Sequence, residues 1–78
     1  MPWHFIRIGG SNPNPKGRRD EVEKIVQKHG GTLEGFWYSY ELTTAYALTK
    51  DPGDAAALAR DLKAQQVIEM RGVDEVGS

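Results

Sequence analysis

The chain of 78 residues contains no cysteine. That excludes a disulfide framework and any thiolate chemistry. It is compatible with a reducing compartment, and the cytoplasm is the expected location. No apolar run approaches the ~20 residues that cross a bilayer, so no membrane partner is expected. The start, Met1-Pro2-Trp3-His4-Phe5-Ile6-Arg7-Ile8, is strand-like and too short for the apolar region of a signal peptide. Charge of one sign is also lacking. A formal net charge of -1 gives no general pull toward nucleic acid or an anionic surface. Aromatics are few: two tryptophans, three tyrosines and two phenylalanines. Their placement is the informative feature. Four rings fall in Phe36-Trp37-Tyr38-Ser39-Tyr40, directly after Gly35.

Aromatic residues favour a pleated, half-buried surface, so this stretch reads as a strand. A strand sends alternate side chains to opposite faces. Phe36, Tyr38 and Tyr40 therefore share one face and Trp37 takes the other. A chain this small covers one of those faces with its own helices. The second calls for a ligand, a partner or a second copy of the chain.

The rest of the sequence supplies the frame. Trp3 to Ile8 predicts a first strand, with His4, Ile6 and Ile8 on one face and Trp3, Phe5 and Arg7 on the other. Residues 9–17 are rich in Gly, Pro and Asn and read as a loop. A helix is expected from about Arg18 to Lys28. Val22, Ile25, Val26 and His29 give it one apolar stripe, and Gly30-Gly31 gives it a left-handed end. A second strand runs from Thr32 to Tyr40, a turn from Glu41 to Thr44, and a third strand from Ala45 to Lys50. Asp51-Pro52-Gly53-Asp54 stops the chain and restarts it, with an aspartate suited to capping a helix. That helix, about Ala55 to Gln65, presents Leu58 and Leu62 with Ala55 and Ala59. Val67 to Arg71 predicts a fourth strand, and 72–78 a tail. The result is one domain over residues 1–78. Its order is the ferredoxin-like β-α-β-β-α-β, an α+β fold with a four-stranded antiparallel sheet and two helices on one face. The other face is bare, and the strands put Trp3 and Phe5 on it together with either the Phe36/Tyr38/Tyr40 set or Trp37. A bare apolar face marks an interface or a ligand groove.

Gly30-Gly31-Thr32-Leu33-Glu34-Gly35-Phe36-Trp37-Tyr38 resembles the GG-x-x-x-GFYW segment of the small GYD-domain proteins. The likeness continues into Lys50-Asp51-Pro52-Gly53-Asp54-Ala55-Ala56, which is similar to that family's E-A-P-D-D-x-A-A helix start. It covers roughly Thr32 to Met70, more weakly the first strand and helix. The Gly-x-Tyr-Asp signature itself is replaced by Glu41-Leu42-Thr43-Thr44, so no role of that Tyr-Asp pair carries over. The resemblance implies a subunit of the dimeric α+β barrel type, in which two sheets pack bare face to bare face around a pocket. The wider superfamily includes cofactor-free monooxygenases, lactone isomerases, aromatic cyclases and non-catalytic binding modules.

His4 is the first candidate for acid-base work, because histidine is the residue type suited to proton transfer near neutral pH. If Ile6 and Ile8 lie under the helices, His4 is instead a packed core histidine. His29 belongs to the helix stripe and reads as structural. The two histidines are far apart, so no metal site is expected, and no cofactor either. Arg7 alternates with Trp3 and Phe5 and belongs to the bare face. A guanidinium there pairs with Glu34 or Glu69, or receives an anionic ligand. Tyr38, Tyr40 and Tyr46 are candidate hydrogen-bond donors to an oxyanion, or simply packed rings with hydroxyls at the rim. Trp37 reads as a core or interface anchor. Lys16, Arg18 and Arg19 either grip an anion at a helix start or form a solvated face beside Asp20, Glu21 and Glu23. Pro2, exposed if Met1 is removed, resembles the base of tautomerases, but the helix placement fits that family poorly.

The expectation is therefore a homodimer, or a higher homo-oligomer, with an aromatic-lined pocket for a small, flat, mostly apolar molecule. His4, Arg7, Tyr38 and Tyr40 are the candidate catalytic groups. Trp3, Phe5, Phe36, Trp37 and Tyr46 are the candidate pocket walls. The chemistry implied is cofactor-free oxygenation, isomerisation or cyclisation of an aromatic or enolisable substrate. The competing expectation is a non-enzymatic binding or assembly module. RNA binding shares the topology, yet the third strand lacks the aromatic-basic pattern, and the charge argues against it.

Overall fold

A computed structural model describes residues 3–9, 14–50 and 54–70 together with Val76. The element order is β1 (Trp3–Gly9), α1 (Pro15–Lys28), β2 (Thr32–Ser39), β3 (Thr44–Lys50), α2 (Ala55–Leu62) and β4 (Gln66–Met70). The strands form one antiparallel sheet in the order β2-β3-β1-β4. This is the expected ferredoxin-like arrangement, with β1 and β3 central. Expectations for Pro2, Asp51-Pro52-Gly53, Arg71 and the tail 72–78 lie outside the described residues, apart from the exposed Val76.

The boundaries follow from local chemistry. Helix α1 starts three residues before the expected Arg18. Asn14 caps it by accepting from the Gly17 N–H at 3.2 Å, and Pro15 occupies the first turn, where its missing N–H costs nothing. The Asn-Pro pair that read as loop is thus a helix start. At the far end Gly30 takes φ 81°, with Gly30 N–H donating to Gln27 and Gly31 N–H to Val26. This is the paired closure of a left-handed cap. Asp54 caps α2 as expected, accepting from the Ala56 and Ala57 N–H groups at 3.1 Å each. Helix α2 stops at Leu62 rather than Gln65, because Lys63 turns left-handed at φ 54°. The Gln65 N–H then reaches the Arg7 carbonyl at 2.8 Å and leads straight into β4.

Both helices lie on one side of the sheet. Ile6 and Ile8 of β1, Ala45 and Ala47 of β3 and Leu33 of β2 meet Val22 and Val26 of α1 and Leu58 and Leu62 of α2 in a single core. Phe36, Tyr38 and Val67 pack against its margin. The alanines of β3 carry no long side chain, which leaves room for the helices above the central strands. Burying these residues supplies most of the driving force, since each large aliphatic side chain contributes on the order of 1.5–3 kcal/mol. The helices are joined at the surface by His29 Nε2 and Asp61 Oδ2, 2.7 Å apart.

Strand β2 is irregular. Leu33 pairs with Thr49 and Gly35 pairs with Leu48, so Glu34 is an extra residue, a bulge. The extra residue resets the alternation. Leu33 faces the helices before it, and Phe36 and Tyr38 face them after it, leaving Gly35 and Trp37 on the opposite side.

Candidate functional site: the open face of the sheet

The sheet face away from the helices is built in rows by the strand register. Gln66, Arg7, Tyr46 and Trp37 lie across the four strands in one row. Ile68, Phe5, Leu48 and Gly35 form the next, and Met70, Trp3 and Lys50 the third. Nothing in the described chain covers them. Trp37 is 53 % exposed and Ile68 47 %, while Trp3, Phe5, Tyr46, Leu48 and Met70 are partly exposed. Solvated antiparallel faces are ordinarily polar. This one carries four rings and three aliphatic side chains.

The rings are organised. Phe5 stacks on Tyr46 with centroids 5.7 Å apart, and Trp37 lies 6.4 Å from Phe5 at a tilt of 35°. Together Phe5, Trp37 and Tyr46 wall a shallow open notch of about 220 Å³. Gly35 makes this possible. A Cβ at that position would sit 2.5 Å from the edge of the Trp37 indole, so the missing side chain lets the ring lie flat along its own strand. Lys50 Nζ stands 5.6 Å from the centre of the Trp3 ring, a cation–π contact at the far end of the face.

The expected site residues divide between the two sides of the sheet. Trp3, Phe5, Arg7, Trp37 and Tyr46 come together on the open face. His4, Phe36 and Tyr38 lie on the helix side. His4 is buried beside Ile6 and Ile8, and its Nδ1 has no hydrogen-bond partner among the described residues. Tyr40 falls in the turn after β2 and is 75 % exposed, its ring edge-on to Tyr38 at 5.0 Å. Trp37 is therefore not a core residue, as one of the two readings had it; the bulge turns it outward. Arg7 is exposed on the open face and makes no ion pair among the described residues. Neither Glu69, which aligns with His4, nor the bulge residue Glu34 forms an ion pair with it.

Several residues of this face were not singled out from sequence. Leu48, Lys50, Ile68 and Met70 are there through the simple alternation of β3 and β4, a signal that was present. Gly35 was read as part of a motif, whereas its physical role is to make room for an indole. At the start of α1 the cations are paired along the helix, Arg18 with Glu21 at 3.2 Å and Arg19 with Glu23 at 3.7 Å. Such pairs are what the solvated-face reading expects. Among the described residues no group of His, Asp and Glu is placed to hold a metal ion. Nor is any helix among them long and apolar enough to cross a membrane.

No family model, curated protein or solved structure matches this chain.

Proposed function

We propose that the open face is the working surface of a homodimeric small-molecule-binding protein. Two copies stack their bare faces, and the ring-walled notches meet to enclose a flat, mostly apolar ligand. The observation that carries this reading is the Phe5–Trp37–Tyr46 notch on an uncovered apolar face. One notch of about 220 Å³ falls below the ~300–1,000 Å³ of sites that enclose a small molecule. A second face supplies the missing wall. The resemblance to GYD-domain proteins, and through them to dimeric α+β barrels, supports the same arrangement. A cytoplasmic setting is part of this proposal.

Binding is favoured over proton-transfer chemistry. His4 and Tyr38 lie on the helix side of the sheet and Tyr40 in the turn beyond β2, away from the notch. The titratable groups in the paired rows of the open face are Arg7, Tyr46 and Lys50. An enzyme built on this face would depend on Tyr46 or Lys50 for proton movement, with Arg7 holding the anion.

Both tryptophans sit on the open face, so indole fluorescence reports on it directly. Light scattering across a wide concentration range is expected to give a dimer mass, with a blue-shifted indole emission in the dimer. A monomer at all concentrations with unshifted emission would refute the reading.

A further inference from the structure

The charges on the open face specify the ligand further. The paired rows across its strands include two cations, Arg7 and Lys50, and no carboxylate. Lys50 is occupied by the Trp3 ring. The Arg7 guanidinium has no side-chain partner among the described residues, and it stands in the same row as Tyr46 and Trp37. Stacking two such faces brings the four cations of these rows into one interface. Desolvating like charges is costly unless an anion pairs with them. The ring notch and the guanidinium are adjacent, since Arg7 is directly opposite Tyr46.

We propose that the ligand is a flat aromatic carboxylate or phenolate of one or two fused rings. Its ring enters the Phe5–Trp37–Tyr46 notch and its anionic oxygen meets Arg7. The inference rests on the face-to-face dimer proposed above. It adds that the anion is a structural part of that dimer. A guanidinium–carboxylate pair is bidentate and geometrically specific, so the anion fixes the orientation of the ring as well as relieving the repulsion. Anything that binds the dimer better than the monomer shifts the association equilibrium toward it. The ligand therefore strengthens association, and association strengthens ligand binding by the same factor.

The test compares 2-naphthoate with its neutral counterpart 2-naphthalenemethanol by quenching of indole fluorescence, with the dimer fraction followed by sedimentation. Naphthoate is expected to bind about tenfold or more tighter, the ratio that a hydrogen bond to a charged group gives. It should also raise the dimer fraction, which the alcohol does less well. In Arg7→Gln the preference for naphthoate over the alcohol should vanish, while the unliganded dimer becomes tighter because two cations are gone. Arg7 is exposed, and a melt matching that of the unchanged protein verifies that the variant folds. Equal affinity for the two probes on an intact dimer would overturn the anionic ligand and leave the binding reading standing. A monomer that binds neither probe would remove both. A short single-stranded oligothymidylate that binds more tightly than naphthoate, with strong salt dependence, would also overturn it, by making the face a base-stacking platform.

Discussion

One sheet presents two faces of similar size, and the two have been filled by different rules. Toward the helices the central strands carry Ile6, Ile8, Ala45 and Ala47, aliphatic or small, close to fully buried. Away from the helices the same strands carry Trp3, Phe5, Tyr46 and Leu48, none of them fully buried. Small side chains let helices approach and aliphatic ones fill the space between, as a packed interior requires. Rings on an uncovered surface do not serve that purpose. They offer flat area at low conformational cost, which is what an interface or a ligand site needs. The polar groups follow the same division. Among the described residues, the buried side holds a histidine with an unpartnered nitrogen and the open side a guanidinium with no ion pair.

The contrast is tested most severely by truncating one residue on each side. Leu58→Ala should cost about 2–5 kcal/mol, because it opens a cavity in a closed core. Trp37→Ala removes a larger side chain, yet it should cost the isolated protomer less than about 1 kcal/mol, since the indole is half exposed. Its loss should instead weaken association. Denaturant unfolding at low protein concentration separates the two. Equal losses would mean that the two faces are not different in kind.

His4→Leu sharpens the buried side. The substitution replaces a buried, unpartnered nitrogen with apolar volume, so stability should be unchanged or higher by about 1 kcal/mol. A clear loss of melting temperature would show that the imidazole makes a needed bond. Gly35→Ala sharpens the open side. The added methyl collides with the indole edge. The indole is exposed and able to swing away, so the melting temperature should move little. The Trp37 emission and the affinity for aromatic ligands should both change. An unaltered emission spectrum would mean that the indole does not lie over Gly35.

The smallest effect concerns the covering layer. The Asp61 carboxyl is held below its ordinary value of 3.8, chiefly by the hydrogen bond from His29. A carboxyl depressed in the folded state stabilises above its unfolded value, and that contribution is lost as pH falls through the folded one. Melting temperature should therefore decline on acidification below about 3.8 partly through this group. Asp61→Asn should flatten that limb slightly and leave the open face untouched. A change in ligand affinity in Asp61→Asn would break the independence of the two sides.

Much of this architecture was readable from residues alone. The alternation from Trp3 to Ile8 assigned Arg7, Trp3 and Phe5 to one face and His4, Ile6 and Ile8 to the other, and the structure has them so. The stripe of Val22, Ile25 and Val26 and the pair Leu58 and Leu62 placed the helix faces correctly. These are local periodicities, and local periodicity survives folding when an element is regular. Ends were read less well. The Asn14 cap was hidden among prolines that also signal loops, and Lys63 gave no glycine-like warning of its left-handed turn.

The sequence by itself determined the order of elements, the apolar stripes and the presence of more rings than one small core can bury. Only the tertiary structure decided which rings face outward. Strict alternation puts Leu33 on the same side of β2 as Gly35 and Trp37, so pattern alone would bury or expose all three together. The bulge at Glu34 breaks that link. It allows Leu33 to join the core and Trp37 to stand on the open face. A bulge depends on how β2 registers against Thr49 and Leu48 of β3, a pairing between residues distant in the chain. No window along a single strand contains that information.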